Sequence, residues 1–528
     1  MRILGFKPAH DGTVASLCDG KLEFSIEGEK DSRPRYSWLT IPGIWETFAR
    51  LPARPDAVAL SGWEGVGQGY FGLERPVRSR RWFCGREVEY FSSTHEKSHL
   101  FGAYAMSPFE QGRPCYALVW EGGLGAFYRI GAAMQIERFP VLTCPGLRYA
   151  YLFYLADRSR RSFEDPHDMA GKLMALAGLG TESALTEAER ALLDYLFEQP
   201  AARSEQLIEH HLPMDKRALP LRTSLLDIGL ESQAFRDFAR KFTNALFRRF
   251  HDFAAAHLTE KLPLLIAGGC GLNCEWNAQW RDSGLFADVF VPPCANDSGS
   301  AIGAAAEAQY VLTGNAKIDW SVYAGEEFVE DCPDPVGWDA APLNLETVAT
   351  LLARGQVIAW VQGRYEIGPR ALGNRSLLAA PFEPAMAVEL NRIKEREDYR
   401  PIAPVCLRED AHLHFEGHLD SSHMLYFQRV RNPRLGAVTH VDGSARAQTV
   451  REAENPRLHA LLTAFKAATG TGVLCNTSLN FKGKGFINRT TDLLGFADAR
   501  GVAVVVINDR LLVRHSPKPT ALSGAAER

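Results

Sequence analysis

Three groups of residues in this chain have types and spacings that could do chemistry. The first is Thr94-His95-Glu96-Lys97-Ser98-His99, an H-E-x-x-H run. On a helix, positions i and i+4 share one side, so His95 and His99 would offer two imidazoles to one metal ion. The run names neither the metal nor the role of Glu96, and a zinc metalloprotease is one chemistry it would serve. The second group is Gln362–Ser376, QGRYEIGPRALGNRS, which holds Gly363, Gly368 and Gly373 with Arg364, Arg370 and Arg375. Glycines let backbone N–H groups approach a ligand, and arginines offer planar, bidentate donors to phosphate or carboxylate. Lys394, Arg396 and Arg400 follow at once in NRIKEREDYRPIAPV. A turn carrying solvated charges is the plainer alternative. The third group is the tip Pro8-Ala9-His10-Asp11-Gly12. A histidine there could take the proton of an attacking hydroxyl; the plainer alternative is a turn whose Asp caps its own backbone.

These groups need elements to hold them. Arg2–Phe6, Thr13–Leu17 and Leu22–Ile26 alternate with turns and read as a meander of three strands. Ser93 or Thr94 can cap the histidine helix, with Leu100, Tyr104 and Met106 as its apolar face. Ala117–Trp120 reads as a strand ending at Glu121-Gly122-Gly123. Leu264–Ala267 followed by Gly268, Gly269, Cys270, Gly271, Leu272 and Asn273 reads as strand, glycine loop and helix start. Unpaired N–H groups at such a start favour an anion. Val289–Val291 leads through Pro-Pro-Cys-Ala-Asn296-Asp297-Ser298-Gly299 to a helix over Ala301–Gln309, which puts Asp297 at an N-cap or a ligand position. Residues 181–260 read as charged amphipathic helix with no usable motif. Val357–Val361 reads as a buried strand feeding the arginine stretch. Residues 331–341, DCPDPVGWDAA, read as a linker, and a helix over Leu345–Ala353 opens a second domain.

Composition sets the bounds. With 46% hydrophobic and 23% charged residues, the chain reads as an ordinary soluble globular protein, long enough for more than one domain. A net charge of −4 gives no reason to expect DNA or RNA, so any anion site must be local. The ten cysteines are scattered and read as reduced cytosolic thiols. No leader and no apolar span of membrane length is expected, which points to a cytoplasmic protein.

The run GRYEIGPRALGNRS and the K-x-R-E-x-x-R-P-I-A-P pattern from Lys394 to Pro404 resemble the carboxy-terminal half of the O-carbamoyltransferases, a family that includes nodulation-factor, cephamycin-type and aminoglycoside enzymes. Matching motifs run from Leu4 to Asn480. They include the His10-Asp11 tip, Glu29-Lys30 with Pro34-Arg35, Asp168 to Met174, Thr439 to Arg446, and Asn476-Thr477-Ser478 with Asn480. The resemblance implies a two-domain α/β protein. Residues 1–335 would form an actin-like (Kae1-like), duplicated α/β domain with a metal site. Residues 344–515 would form a YrdC-like twisted α/β domain that makes carbamoyl-adenylate; by composition alone, 516–528 reads as a polar, disordered tail.

The resemblance also implies ATP and carbamoyl phosphate, with binding residues Arg364, Arg370, Lys394, Arg396, Arg400, Arg446, Asn476, Ser478, Lys172, Gly268, Gly269 and Asn273. Arg370 and Lys394 would be catalytic in forming the adenylate, and His10 and Asp11 in transfer to the acceptor. A divalent metal, iron in the first place, with Mg2+ accompanying ATP, would sit at His95, His99, Glu121 and Asp297 while Glu96 points away. The family usually has Asp where this chain has Glu121. The acceptor would be a small molecule: a 3-hydroxymethyl cephem of cephamycin-type antibiotic biosynthesis, or else a sugar hydroxyl. No nucleic-acid or membrane partner is implied, and a homodimer stays open. The protease and a non-catalytic nucleotide-binding module stay open as other readings.

Overall fold

In the computed structural model, which describes residues 1–62, 71–83, 85–164, 166–198 and 211–515, the chain opens on the expected meander. Its strands are β1 (Arg2–Lys7), β2 (Thr13–Cys18) and β3 (Lys21–Glu27). With β4 (Ala57–Ser61), β5 (Val77–Phe83) and β6 (Arg86–Ser93) they form a sheet of order β3-β2-β1-β4-β6-β5. A second sheet is built from β7 (Cys115–Trp120), β8 (Gly125–Ile130), β9 (Ile136–Pro140), β10 (Leu264–Ala267) and β11 (Val289–Phe290). Its order is β9-β8-β7-β10-β11. Apart from the edge strand β5 the two orders coincide. Each has an antiparallel meander and then two parallel strands beyond its first strand. The N-terminal half of the chain is duplicated.

A parallel neighbour requires a crossover, and each repeat sends a helix off its last strand. Helix His95–Met106 follows β6 and helix Ser300–Thr313 follows β11. They pack on each other between the sheets, and each lies on the sheet of the opposite repeat. Every residue of His95–Met106 is buried, including His95, Glu96, Lys97 and His99. The apolar face of Leu100, Tyr104 and Met106 is therefore only part of its buried surface, because polar groups are covered on the other side. The helices touch at glycine. A Cβ on Gly303 would stand 1.8 Å from Ser98 O and 2.9 Å from Gly102 N.

The segment expected as charged helix contains helices Glu187–Phe197 and Gln233–His257; the latter buries Phe235, Phe238, Phe242 and Phe250 in the core of the second repeat.

The remaining strands are β12 (Trp338–Pro342), β13 (Ile358–Val361), β14 (Arg375–Ala379) and β15 (Ala403–Leu407), then β16 (Phe415–Glu416), β17 (Gln428–Val430) and β18 (Ser444–Ala445). After these come β19 (Gln448–Val450), β20 (Val473–Ser478), β21 (Val504–Ile507) and β22 (Arg510–Arg514). Eight of them form one mixed sheet, β12-β22-β21-β13-β14-β20-β15-β19. Helix Leu345–Ala353 stands where expected. The linker is shorter than its composition suggested, because Trp338–Pro342 pairs antiparallel with β22. Only Trp338 of that strand is buried, so an exposed edge strand of Asp, Ala and Pro passed for a loop. The expected tail, 516–528, lies outside the described residues. No described helix is long and apolar enough to cross a membrane.

The two halves are stitched along one seam. Ser32 and Arg35 donate N–H bonds to the carbonyls of Phe486 and Gly483, both at 3.0 Å, and Gly485 donates to Arg33 O at 2.9 Å. Asp31 and Ser32 take positive φ (62° and 59°) to make this turn, and Arg489 pairs with Asp31.

The helix crossing can be tested directly. Gly303→Ala improves helix propensity by about 1 kcal/mol. It also drives a methyl group into a neighbouring backbone, and overpacking of that kind costs about 1–3 kcal/mol. The clash is against carbonyl oxygen rather than a yielding side chain, so the second effect wins. Chemical denaturation should show a net loss of up to about 2 kcal/mol.

Candidate active site

Four side chains converge between the two repeats. His95 and His99 come from the start of helix His95–Met106, whose cap is Thr94, accepting the Lys97 N–H at 3.1 Å. Glu121 follows the end of β7. Asp297 lies in a turn of 3-10 helix, Asp297–Gly299, and is not an N-cap; Gly299 holds that place for helix Ser300–Thr313. One ligand atom from each of the four lies within 4.8 Å of the others, and all four residues are buried. His95 Nε2 and His99 Nε2 are 3.1 Å apart. Glu121 Oε2 is 3.2 Å and 2.9 Å from them, and Asp297 Oδ1 3.4 Å and 3.2 Å. Around an ion with N and O bonds of about 2.1 Å, neighbouring ligands stand roughly 3.0–3.4 Å apart. The donor set fits a divalent cation, and Glu121 Oε2 stands within that spacing of both imidazoles.

Glu96 turns the other way, as expected. It accepts the Gly72 N–H at 2.9 Å and the Tyr128 O–H at 2.6 Å, and faces Arg138 at 3.4 Å. A zinc protease needs that glutamate at its metal-bound water. Here it is spent on structure.

Burial opposes charge on all four ligand residues, and their mutual attraction overrides it. The histidines hold Glu121 and Asp297 well below the usual carboxylate range. His95 is raised, and Glu121 with Asp297 pushes His99 up to about 10.

Asp297 faces two ways. Its Oδ2 is 3.1 Å from Lys7 Nζ and 3.5 Å from His10 Nε2. Asp11 Oδ2 lies 3.3 Å from His10 Nδ1, so Asp11 orients the ring rather than capping a turn. His10 keeps 36% of its side chain exposed. Its ring lies 4.7 Å from the His167 ring, which is 5.1 Å from Tyr36. Lys172 is held by Asp168 at 2.7 Å. Asp168 also acts electrostatically on Tyr36, which associates Lys172 with this wall.

A second group is cationic. Arg370 donates from Nη2 to Leu272 O at 3.0 Å, while Arg370 Nε and Arg446 Nε are buried without a hydrogen-bond partner among the described residues. Burial, then Arg446, Arg400 and Arg35, push Arg370 down to about 9. Burial, then Arg400 and Arg446, do the same to Arg396. Arg400 is also lowered, by burial first. Buried cations with unspent donors are costly unless an anion joins them.

Several expected binding residues have other work. Arg364 spends Nε and Nη2 on the carbonyls of Gly325, Glu23 and Ala324, at 2.7, 2.7 and 2.9 Å, and so ties the halves together. Lys394 gives its ammonium to Ser478 O (2.5 Å), Asn480 O (2.9 Å) and Asn480 Oδ1. Burial, with Arg396 and Arg35, holds Lys394 well below the usual lysine range. Ser478 Oγ donates to Asn480 Oδ1 at 2.6 Å, and Asn476 donates to Ala371 O at 3.2 Å and Gln448 Oε1 at 2.9 Å, bracing the turn beside Arg370. Arg396 donates from Nε to Asn391 Oδ1 at 2.5 Å. Asn273 caps helix Cys274–Asp282 by accepting the N–H groups of Glu275 and Trp276, so the helix start expected to hold an anion has spent those donors. Gly268, at φ +90°, would put a Cβ 2.5 Å from Trp120 O; it serves close packing, whereas Gly269 faces open space.

Lys7, Arg35, Tyr36 and His167 were missed as site residues. A lysine directly after the run Ile3-Leu4-Gly5-Phe6 was a usable signal for Lys7. Arg35 acts electrostatically on both Asp11 and Arg370, which sequence spacing could not reveal.

Family models described as Carbamoyltransferase N-terminus and Carbamoyltransferase C-terminus match residues 86–306 and 349–514. A 3'-hydroxymethylcephem-O-carbamoyltransferase of Streptomyces clavuligerus is 47% identical over 96% of this chain and 98% of its own length. The protein of that name from Amycolatopsis lactamdurans is 46% identical over the same shares. Nodulation protein U of Rhizobium tropici is 34% identical over 92% of each chain. Among solved structures, the activator of the 2-hydroxyisocaproyl-CoA dehydratase from Clostridium difficile with bound ADPNP is 10% identical, with a TM-score of 0.33, over 60% of this chain and 97% of that one.

The electrostatics of the four-residue cluster predict how it takes up a cation. With its folded pKa raised to about 10, His99 is protonated at neutral pH in the metal-free protein and must lose that proton to bind an ion. Affinity for Zn2+ or Fe2+ should therefore rise with pH up to about 10. Calorimetry in buffers of different ionisation enthalpy should detect about one to two protons released per ion. In the metal-free protein, the stabilisation from His99 is complete below its unfolded pKa of about 6.5. It is lost as pH rises through the folded value.

Proposed function

Because the chain belongs to the carbamoyltransferase family, we propose that it is an ATP-dependent O-carbamoyltransferase acting on the hydroxyl of a 3-hydroxymethyl cephem. The observation that carries this is the pairing of a buried, donor-rich arginine group with a His10–Asp297 centre across one seam. The relatives at 46–47% identity along almost the whole chain support the cephem as acceptor. A sugar hydroxyl is the second reading, and the nodulation protein U relatives are its support.

Carbamoyl phosphate would give up phosphate to water, and the resulting carbamate would attack the α-phosphorus of ATP, releasing pyrophosphate and leaving carbamoyl-adenylate. Carbamate is a poor electrophile, and AMP is a leaving group that makes its carbon usable. Arg370 and Arg446, with their unspent donors, and Arg400 would bind the spreading phosphate charge. Arg396 would add positive potential from behind the amide oxygen that holds it, while Lys394 braces the Ser478 and Asn480 carbonyls. At the other centre, His10 would take the acceptor's proton, with Asp11 fixing its ring and Asp297 behind it. A divalent cation held by His95, His99, Glu121 and Asp297, iron on the family's pattern, would supply Lewis-acid polarisation of the carbamoyl carbonyl. The N-terminal domain would be of the actin-like kind and the C-terminal one would form the adenylate. A cytoplasmic setting is part of the same proposal, and the buried free thiols of Cys115, Cys274 and Cys406 would suit its reducing chemistry.

Pyrophosphate release from ATP tests the activation step. It should require carbamoyl phosphate and fall about 10²-fold or more in Arg370→Ala. With 3-hydroxymethyl cephem added, mass spectrometry should show the carbamate ester. Release of pyrophosphate without any need for carbamoyl phosphate would sink the activation scheme. Carbamoylation of a sugar in preference to the cephem would replace the acceptor.

A further inference from the structure

Both polar groups of one residue in the arginine turn are held by the opposite half of the molecule. Gly368 N–H donates to Glu27 Oε1 at 2.6 Å, and Gly368 O accepts from Lys30 Nζ at 2.8 Å. Glu27 closes β3 and Lys30 follows it, so both belong to the N-terminal half, whereas Gly368 stands two residues before Arg370. The contact is close. At φ +86°, a Cβ on Gly368 would lie 2.3 Å from Pro293 O, on the strand-to-turn segment that delivers Asp297.

The two clamping residues are themselves fixed. Lys30 is 1% exposed, 3.2 Å from Glu27 Oε2 and 3.4 Å from Glu29 Oε1, and stands over the Phe486 ring at 3.9 Å. Farther along the same turn, Glu366 Oε1 accepts the N–H groups of Leu372, Asn374 and Arg375 at 2.7, 2.6 and 3.2 Å. The C-terminal half thus anchors the exit of the turn, and the N-terminal half anchors its approach to Arg370. A buried charge cluster is weak evidence for stability. Hydrogen bonds aimed at a single peptide group do set that group's position.

We propose that Glu27 and Lys30 are positioning residues for Arg370, so that activation of carbamoyl phosphate in the C-terminal half requires the N-terminal half docked against Gly368. This rests on the activation chemistry proposed above. Neither residue touches a reactant; each acts through Gly368.

The test uses the full chain and follows pyrophosphate release as carbamoyl phosphate is varied. Lys30→Met keeps a stem against Phe486 but cannot donate to Gly368. Its KM for carbamoyl phosphate should rise about tenfold, with a smaller fall in kcat. Glu27→Gln keeps an oxygen that can accept the Gly368 N–H, and its KM should stay within about twofold of the unmodified protein. An unchanged KM in Lys30→Met, while the unmodified protein releases pyrophosphate normally, overturns the proposal. Hydrogen exchange at the Gly368 amide decides the matter if Lys30→Met does not fold or the unmodified protein makes no pyrophosphate. The clamp requires that amide to exchange slowly, and exchange as fast as an exposed loop amide refutes it. Absence of pyrophosphate with a protected Gly368 amide would sink the activation scheme and leave the clamp in place.

Discussion

A carboxylate removed from water needs positive charge or donors at both of its oxygens, and Asp297 receives them from separate parts of the chain. Oδ1 faces His95 and His99 from one repeat, while Oδ2 faces Lys7 and His10 from the end of β1 and the tip beyond it. The glycine crossing of helices His95–Met106 and Ser300–Thr313 sets how far the histidines stand from Asp297. The first repeat supplies the histidine helix, and the second supplies both carboxylates, Glu121 after β7 and Asp297 after β11, so the centre exists only when both repeats have folded and docked. Asp297 thus stands between the His10 ring and the four-residue cluster.

The arginine stretch shows how one residue type divides into structural and chemical uses. Arg375 is fully buried and bonds to the carbonyls of Gln362, Asn374 and Gly363 and to Asn488, so its planar fork is saturated. Arg364 commits Nε and Nη2 to carbonyls of the N-terminal half. Arg370 has one carbonyl partner and an unspent Nε in a neighbourhood of like charges. Arg364 and Arg375 lie at the two ends of the segment joining β13 to β14, and Arg370 lies between them. A saturated arginine holds the fold together, and an unsaturated one beside other cations awaits an anion.

The seam makes the protein more than two domains on one chain. Residues 27–36 carry Glu27, Lys30, Arg35 and Tyr36, and they are pinned to residues 483–489 by backbone bonds and an ion pair. Arg35 therefore acts on Asp11 and on Arg370 from a position set by both halves. Directional bonds of this kind tolerate little sliding, because each N–H to oxygen bond weakens steeply away from its preferred distance and angle.

Much of the fold was legible in the sequence, because local patterns carry it. The opening meander, the Thr94 cap, the strand before Glu121 and helix Leu345–Ala353 all follow from alternation, caps and turn residues. The grouping of His95, His99, Glu121 and Asp297 was legible through motif order, as was the outward turn of Glu96. The edge strand Trp338–Pro342 was not, since an exposed strand needs no apolar alternation and only its partner β22 defines it. Neither were the roles of Arg364, Lys394, Asn273 and Asn476, whose chemistry depends on which oxygens and N–H groups lie within about 3 Å. Residue type fixes what a side chain can donate. Only tertiary structure decides whether that donor is already spent, because the competing carbonyls come from segments distant in the chain.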